Sequence, residues 1–517
     1  MDRRQRWALT IVCFAVLVTS IDSLILNVAL PTLVRDLDAS TSELQWIVDA
    51  YILVFAGFLL VGGSLGDRFG RAKILRIGLV VFGVASAVAA FSDSATALVI
   101  CRGVMGFGAA LIMPTSIAVL TNVFTGTRER GRALGVWSAV AGLGLALGPV
   151  VGGVLLSRFW WGSVFLVNVP IVAVVLVVSW WALPESRNPS ASRVDPLGVV
   201  LSVLAVSALV WATVQAPTVG WESATTLRSF VVAFVLLGCF GLWAVRCAHP
   251  MLELGFFRNP RFSVASVASA TANFAFAGTL FVLTQLLQFV FGYSPLSAGI
   301  ALVPMAAAFM VAGLLGPRLA EHIGTKRAVA LALAIFALGL LILATANEHS
   351  GFGVVLAATL TVGVGFGFTL APTTDAVVGA VPNEKAGMAS GTLSATRQVG
   401  TAMGVAVVGS LLVSGYRSVL ATRTKALTLS HADLTAARTS LGSALAVARE
   451  LGGDAGRTLG NAARLAFIHG MRLGLVVSAV LLALGALLAL RYLPARAREA
   501  HAADESRPVP ILDVLVD

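Results

Sequence analysis

Charged residues are scarce in this sequence. Only 12% of its 517 residues are Asp, Glu, Lys or Arg, whereas 58% are hydrophobic. Soluble domains average about 25% charged residues, because a surface in contact with water needs them. A chain of this length could otherwise form about three soluble domains, but the composition excludes that organisation. The sequence instead predicts an all-α polytopic membrane protein.

Several motifs that carry chemistry are also missing. The four cysteines have no spacing typical of a zinc site or a disulfide framework. There is no G-x-x-x-x-G-K-[ST] phosphate loop and no H-E-x-x-H metal motif. We therefore expect no enzyme, cofactor or bound metal, and any transport must draw on an ion gradient. The net charge of +11 falls mostly in short loops between apolar runs, so no nucleic-acid partner is expected.

Fourteen apolar runs are long enough to cross a bilayer, which takes about 20 residues. They lie at roughly 7–31, 46–66, 74–92, 96–120, 132–156, 162–183, 195–216, 227–246, 261–284, 295–316, 327–346, 351–376, 388–413 and 467–493. An even number returns the C-terminus to the side of the N-terminus. The short loops of one side contain only three basic residues, Arg35, Arg158 and Arg228. This positive-inside bias predicts cytoplasmic termini.

A short basic turn occurs twice, as GSLGDRFGRAK over 63–73 and as the degenerate GPRLAEHIGTKR over 316–327. Two copies in corresponding positions indicate a duplicated bundle. The prediction is an N-terminal six-helix bundle over 1–183, two inserted spans with flanking cytoplasmic loops over 184–260, a C-terminal six-helix bundle over 261–493 and a cytoplasmic tail over 494–517. Segment 414–466 is expected to be a long external loop within the C-terminal bundle, with an amphipathic hairpin around 433–450.

These features resemble the major facilitator superfamily, in particular its fourteen-span drug:proton antiporters. The turn 63–73 fits the superfamily pattern G-x-L-x-D-R-x-G-R-x-K, and residues 144–153 fit the exporter pattern G-x-x-x-G-P-x-x-G-G. Segments 22–31 and 102–110 resemble further signatures of the group. The resemblance covers nearly the whole chain and implies the major facilitator fold, with two six-helix bundles plus two inserted helices.

The sequence also departs from these patterns. Met105 stands where the fourth-span motif usually has Gln, and His322 replaces the usual Arg of the second-half turn. Gly162 and Ser163 replace a common Arg-Trp pair. The segment 160–165 around them resembles the quaternary-ammonium and cationic-biocide pumps.

Asp22 and Arg102 are candidates for proton coupling. A carboxylate within a span costs roughly 2.5–3.5 kcal/mol on insertion scales, and such residues usually have a function. Since burial favours the neutral acid, Asp22 is expected to bind and release a proton. An arginine beside it opposes protonation, so movement of Arg102 between states would couple proton binding to transport. The alternative is a permanently neutralised, static pair.

Three further charged residues are candidates. Asp49, near the start of the second span, is expected either to relay protons or meet a cationic substrate, or to be a solvated acid at a helix N-terminus. Asp375 and Arg397 are candidates for a pair in the C-terminal half, where a structural role is favoured over a functional one.

The resemblance implies a cytoplasmic gate in the turn after the second span. Its residues are Gly63, Asp67, Arg68, Gly70 and Arg71. Asp67 is expected to accept a hydrogen bond from the N-terminus of a neighbouring helix. The alternative is a basic turn that only sets topology.

The antiporter motif places glycines on one face of the fifth span, where they allow close backbone approach, and its proline can bend the helix. Its residues are Gly144, Gly148, Pro149, Gly152 and Gly153. Tight packing is the alternative to a bendable seam between the halves. Aromatic residues that could stack on a flat cation are Trp46, Phe55, Phe274, Phe276 and Phe281, although most aromatics in spans serve packing.

The resulting prediction is a proton-coupled antiporter that exports amphipathic, cationic drugs across a bacterial cytoplasmic membrane by alternating access. Its partners would be a small-molecule drug, protons and the lipid bilayer, and a monomer is expected. One alternative is a dedicated self-resistance exporter of a single antibiotic or secondary metabolite. A remote alternative is a non-transporting membrane sensor on the same fold. The exporter pattern in the fifth span disfavours an uptake symporter.

Overall fold

The described chain is built of helices. In the computed structural model, the structure describes residues 3–124, 127–187, 195–247, 254–348, 350–381, 386–425, 427 and 429–493. Within these ranges, fourteen helices are long and apolar enough to cross a membrane. The predicted number of spans and the all-α membrane class are therefore confirmed. The proposed cytoplasmic tail 494–517 lies outside the described residues.

Helices α1 to α7 form the first six spans, with α6 and α7 together making the sixth. They are α1 Arg3–Asp36, α2 Thr41–Phe69, α3 Arg71–Ala90, α4 Ala95–Val123, α5 Thr127–Arg158, α6 Ser163–Leu166 and α7 Asn168–Ala182. Helix α2 begins with a capping box, in which the Ser40 side chain accepts from the Glu43 amide and Glu43 accepts from the Ser40 amide. It ends at Gly70, whose φ of 118° allows the chain to turn directly into α3.

The two inserted spans are α8 Pro196–Val219 and α9 Ala224–Arg246. Asp195 caps α8 by accepting from the Gly198 amide, and it also accepts from Trp243 Nε1 of α9 at 2.9 Å. Helix α8 packs against α9 and also against α2 and helix α14 (Ala386–Arg423), whereas α9 packs chiefly on α8. The inserted pair is therefore joined to the bundle through α8.

The remaining helices form the second half of the fold. They are α10 Pro260–Gln285, α11 Pro295–Ile323, α12 Thr325–Ala344, α13 Phe352–Val378, α14, α15 His431–Thr439, α16 Leu441–Leu451 and α17 Gly453–Tyr492. A 3₁₀-helix, Leu254–Arg258, precedes α10, and a π-helix, Leu286–Val290, follows it.

The segment 414–466 differs in extent from the expected long loop. Helix α14 continues ten residues beyond the predicted span to Arg423, and α17 begins at Gly453 rather than near 467. Between them, α15 and α16 form two short helices where an amphipathic hairpin was expected around 433–450. The hydropathy pattern missed the extensions because these helical turns are polar and stand beyond the apolar core of each span.

The two halves of the fold meet near the loop that joins α1 to α2, which we call the α1–α2 end. Gly153 of α5 lies against Leu296 of α11, with its ideal Cβ position 2.6 Å from the Leu296 Cα. Gln288 Nε2 donates to the Val28 carbonyl at 2.8 Å. Gln45 Nε2 of α2 donates to the Ala406 carbonyl of α14 at 2.9 Å. These contacts close the cleft between the halves at this end.

Candidate functional site

A cavity of about 330 Å³ lies between the two halves. It is lined by residues of α1, α2, α4 and α5 on one side and of α10, α13 and α14 on the other. Its aromatic side chains are Tyr51, Phe55, Phe276 and Phe366, and the last two stack with centroids 4.2 Å apart. Among the described lining residues, Arg102 is the single charged side chain. The walls are thus mainly apolar and aromatic, with a few hydroxyl and amide groups.

Asp22 and Arg102 form a buried ion pair at the edge of this cavity. Arg102 Nη1 lies 2.6 Å from Asp22 Oδ2, and both side chains are almost fully buried. Asn168 Nδ2 of α7 donates to the other carboxylate oxygen at 2.9 Å. Both oxygens of Asp22 are therefore satisfied, one by a charged donor and one by a neutral amide.

Arg102 also connects the pair to the cavity wall. Its Nε donates to the Ile47 carbonyl of α2 at 3.2 Å, and its guanidinium lies 4.3 Å from the centroid of the Tyr51 ring. Tyr51 in turn stacks on Phe55 at 6.1 Å. A shift of Arg102 would therefore be transmitted both to α2 and to an aromatic face of the cavity.

Asp49 lies apart from this pair. It is in the third turn of α2, because the helix begins at Thr41, five residues before the predicted start of the span. The side chain is fully buried, and neither carboxylate oxygen has a hydrogen-bond partner. The alternative of a solvated acid at the helix N-terminus does not fit this burial. An acid held dry without a donor is far less costly when it is protonated.

The basic turn between α2 and α3 is organised by local contacts. Asp67 pairs with Arg71, with Nη2 and Oδ1 2.8 Å apart, and Arg71 Nη1 donates to the Ala118 carbonyl of α4 at 3.3 Å. Arg68 is exposed. Gly63 lies against Pro114 of α4.

The N-terminus of α3 is held by a residue that sequence reasoning did not single out. Glu185, just after α7, accepts from the backbone amides of Ala72 and Lys73, each at 3.1 Å. Asp67 was expected to cap a neighbouring helix, but in this arrangement Asp67 pairs with Arg71 and the capping carboxylate is that of Glu185. A Pro-Glu pair directly after an apolar span was the available signal.

The glycines of α5 pack mainly within the first half. Gly144, Gly148 and Gly152 face Ser20, Ile21 and Ile25 of α1. The ideal Cβ of Gly148 would lie 3.0 Å from the Ile21 carbonyl oxygen. The contact with the other half is made by the adjoining residues, since Gly153 meets Leu296 and the Pro149 carbonyl meets Gly299 of α11. The expected seam between the halves therefore involves one edge of the motif, while the other glycines join α5 to α1.

Asp375 and Arg397 do not form the expected pair. Arg397 donates from Nε to Ser269 Oγ at 2.6 Å and from Nη2 to Thr374 Oγ1 at 2.8 Å. Asp375 is exposed, and no ion pair joins the two among the described residues. The observed partner, Thr374, directly precedes the expected one, Asp375. Because Thr374 of α13 faces Arg397, Asp375, which lies 100° further round the helix, points elsewhere.

The aromatic candidates divide between the cavity and the packed core. Phe55 and Phe276 line the cavity. Phe274 and Phe281 are buried in helix packing, and Trp46 lies 5.7 Å from Trp211 of α8. The other two cavity aromatics, together with Asn168 and Gln45, were missed, although an amide within a strongly apolar span is a usable signal.

Similarity to known proteins shows which family the chain belongs to. The model of the Major Facilitator Superfamily matches residues 12–405. The chain belongs to this superfamily. One relative, the multidrug efflux pump LfrA of Mycolicibacterium smegmatis, is 35% identical over 92% of this chain and 93% of its own length. Another, the tetracenomycin C resistance and export protein of Streptomyces glaucescens, is 31% identical over 98% of this chain and 95% of its own.

A solved structure supports the same fold. A bacterial homologue of the human lysosomal transporter Spinster matches with a TM-score of 0.67, covering 98% of this chain and 100% of that one at 17% identity. At this identity the likeness shows the fold alone. The superfamily and the fold are those of membrane transporters, which are not enzymes. The prediction of the major facilitator fold is confirmed.

Proposed function

We propose that the protein is a proton-coupled antiporter that exports amphipathic, cationic drugs across a bacterial cytoplasmic membrane. The observation that carries the proposal is the buried Asp22–Arg102 pair at the edge of the cavity between the two halves. Buried ion pairs in spans are costly and mark ion and substrate pathways. One relative is a multidrug efflux pump and another an antibiotic resistance and export protein, which supports the direction of transport.

Proton coupling would follow from competition for Asp22. When Arg102 occupies the carboxylate, the pair is neutral and a proton is disfavoured. When a proton neutralises Asp22, the guanidinium loses its counter-ion and is free to shift relative to Tyr51 and the Ile47 carbonyl. Asp49 is the second proton-binding candidate, because a dry carboxyl without a donor favours the protonated form.

The substrate class follows from the cavity lining. Flat organic cations are attracted to aromatic faces, by about 0.5–1 kcal/mol at exposed sites and by about 2 kcal/mol when water is excluded. Four aromatic side chains line the cavity. Arg102 is at its edge, and the Asp22 carboxylate lies behind the Arg102 side chain. A cation that stacks on these rings would pair with Asp22 once Arg102 moves away, which makes drug and proton competitors for one charge.

Alternating access would use the division into residues 1–183 and 261–493, with 184–260 inserted between them and the chain acting as a monomer. The positive-inside bias predicts that both termini are cytoplasmic, and in this orientation the α1–α2 end is external. Contacts such as Gln45–Ala406 and Gln288–Val28 then belong to an outer gate that is closed. The turn containing Gly63, Asp67 and Arg71 would form the inner gate of the opposite state.

The test is ethidium efflux from cells that express this chain, with and without a protonophore. The wild type is expected to lose efflux with the protonophore, and Asp22→Asn is expected to lose it without one. Asp454→Asn is the matched control, because Asp454 pairs with Arg457 on an exposed surface. Efflux that persists under the protonophore would contradict proton coupling, and protonophore-sensitive efflux in Asp22→Asn would remove Asp22 from the mechanism.

A dedicated exporter of one antibiotic is the second candidate. It is favoured by the similarity to the tetracenomycin C resistance and export protein over nearly the whole chain. Such an exporter would handle one antibiotic and reject unrelated cations. Resistance conferred against a panel of dyes and biocides argues for the broad pump, whereas resistance restricted to one antibiotic argues for the dedicated one.

A further inference from the structure

We propose that Gln45 is a positioning residue that links the protonation of Asp49 to closure of α2 against α14. The inference rests on the proposed proton-coupled transport and extends it to a residue that is neither charged nor part of the cavity lining. Three observations support it. Gln45 makes hydrogen bonds between the two halves of the fold, its own carbonyl oxygen has no donor, and Asp49, one helical turn away, has no hydrogen-bond partner.

The first observation is the bond between the halves. Gln45 Nε2 donates to two successive carbonyls of α14, those of Val405 at 3.2 Å and Ala406 at 2.9 Å. The side chain lies against the bare backbone of Gly409, where an added Cβ would be 2.6 Å from the Gln45 Cδ. Because both partners are acceptors, they fix the amide with its nitrogen towards α14 and its oxygen away from it.

The second observation concerns that oxygen. Gln45 Oε1 is buried and has no hydrogen-bond partner, although the whole side chain is fully buried. Asp49 lies four residues further along α2, which places it on the same helix face one turn away. Both Asp49 oxygens are likewise buried without a partner. Gln45 Oε1 is thus an acceptor that lacks a donor, and the neighbouring Asp49 carboxyl can donate a hydrogen bond only when it is protonated.

The two protonation states then act oppositely on the gate. A protonated Asp49 can donate to Gln45 Oε1 and complete a chain that runs from Asp49 through Gln45 to α14. An ionised Asp49 offers only acceptors, so it repels Oε1 and competes for Nε2 with the α14 carbonyls. Protonation therefore favours the closed contact between α2 and α14, and proton release favours its opening.

The surroundings of Asp49 contain few other charges. Uncharged residues of α8 pack on this face of α2, namely Val210, Trp211 and Val214. Residues 398–415 of α14 contain no ionisable side chain, and the nearest ionisable residues of this helix are Arg397 on one side and Tyr416 and Arg417 on the other. On α2 itself, Glu43 and Tyr51 are the nearest titratable residues. The Asp22–Arg102 pair contacts α2 at Ile47 and Tyr51.

Gln288 provides a matched control within the same protein. Its Nε2 donates across the halves to the Val28 carbonyl at 2.8 Å, and its Oε1 is also buried without a partner. No Asp or Glu occurs within four residues on either side of it. Loss of Gln288 should weaken closure at every pH, whereas loss of Gln45 should remove the response to pH.

The experiment measures the opening of the α1–α2 end by the distance between two spin labels, without drug. The labels are placed at the exposed positions 36 and 422 as Asp36→Cys and Thr422→Cys, in a full chain whose four cysteines are replaced by serine. In lipid nanodiscs, acidification should raise the closed-to-open ratio of the parent on the order of tenfold, as expected for one buried hydrogen bond.

The variants separate the possible outcomes. Gln45→Leu should abolish the acid-induced shift, and Gly409→Ala, which displaces the amide, should do the same. Gln288→Leu should retain the shift. The amide of Asp49→Asn is a permanent donor. This substitution should raise the closed fraction and remove its pH dependence in the parent and in Gln288→Leu, but it should not raise the closed fraction in Gln45→Leu.

Acid-induced closure of full size in both Gln45→Leu and Gly409→Ala, or a parent without any shift, would overturn the proposal. These results are distinct from failure of the proposed function. Efflux by the wild type that is insensitive to a protonophore defeats proton coupling itself. Protonophore-sensitive efflux together with intact closure in Gln45→Leu defeats only the role of Gln45.

Discussion

At the scale of single residues, Asp22 and Arg102 neutralise each other's buried charge. Arg102 makes three kinds of contact, to the Asp22 carboxylate, the Ile47 carbonyl and the Tyr51 ring. Removing one member of a buried pair leaves an uncompensated charge, which typically costs 3–5 kcal/mol, whereas removing both costs much less. Measuring both stability and efflux in the single and double variants therefore distinguishes a purely stabilising pair from a functional one.

Arg102→Gln should therefore destabilise the protein by roughly 3–5 kcal/mol, because Asp22 is left buried beside a neutral group. Adding Asp22→Asn should recover most of that loss without recovering efflux. The thermal midpoint in detergent reports stability, and ethidium efflux reports function. A double variant that regains efflux together with its midpoint would show that the pair is only structural.

The sequence predicted the charged members of the site and missed its neutral ones. Asp22, Arg102 and Asp49 are conspicuous because charge within an apolar run is costly. Asn168 stands out only as an amide within an apolar run, and Gln45 lies just before the predicted second span. Neither position indicates its partner, because that depends on which helices pack together. The pairing of Asp375 with Arg397 was wrong for a similar reason: helix rotation, which the pattern left open, directs Thr374 instead towards the arginine.

At the scale of elements, glycine decides how closely α5 approaches α1. The ideal Cβ of Gly148 would lie 3.0 Å from both the Ile21 carbonyl oxygen and the Leu24 Cβ, whereas that of Gly142 on the same helix meets nothing within 4 Å. The two positions therefore form a matched pair of substitutions within one helix.

Gly148→Ala should cost about 1–3 kcal/mol through overpacking. Gly142→Ala should be neutral or slightly stabilising, because alanine is favoured over glycine within a helix by about 0.5–1 kcal/mol. Thermal midpoints of the two purified variants in one detergent make the comparison. Equal midpoints would contradict the close approach of α5 to α1.

The start of α3 offers a second prediction at this scale. Glu185 accepts from two of the amides that a helix N-terminus leaves unpaired. Glu185→Ala should cost roughly 0.5–2 kcal/mol, the usual range for loss of a side-chain cap, and Glu185→Gln should cost less because it keeps an acceptor. The exposed Glu222→Ala is the control in the same thermal measurement. A Glu185→Ala variant as stable as that control would exclude the capping role.

Hydropathy located the fourteen spanning helices found among the described residues, but not their ends. The early start of α2 is set by its capping box. The extensions of α14 and α17 lie beyond the apolar core of each span, and these two helices pack against each other and α17 against α16. Sequence periodicity does not report these contacts, and this is why Asp49 was placed too near the surface.

At the scale of the whole molecule, the two halves are in contact at the α1–α2 end through α2 with α14, α5 with α11 and Gln288 with Val28. The inserted helix α8 adds to this closure, because it packs on both α2 and α14. Ser410 of α14 donates to the Thr213 carbonyl of α8 at 2.6 Å. Motion of α14 relative to α2 must therefore involve α8, which a transporter of twelve spans would lack.

The most direct test of the central claim is reciprocal movement of drug and proton by the purified protein in liposomes. A pH dye inside the liposomes reports protons while ethidium is moved down its own gradient, with no imposed pH difference. We expect protons to move opposite to ethidium in the wild type and in Asp454→Asn, and no proton movement in Asp22→Asn. Ethidium transport by the wild type that leaves the internal pH unchanged would contradict the account.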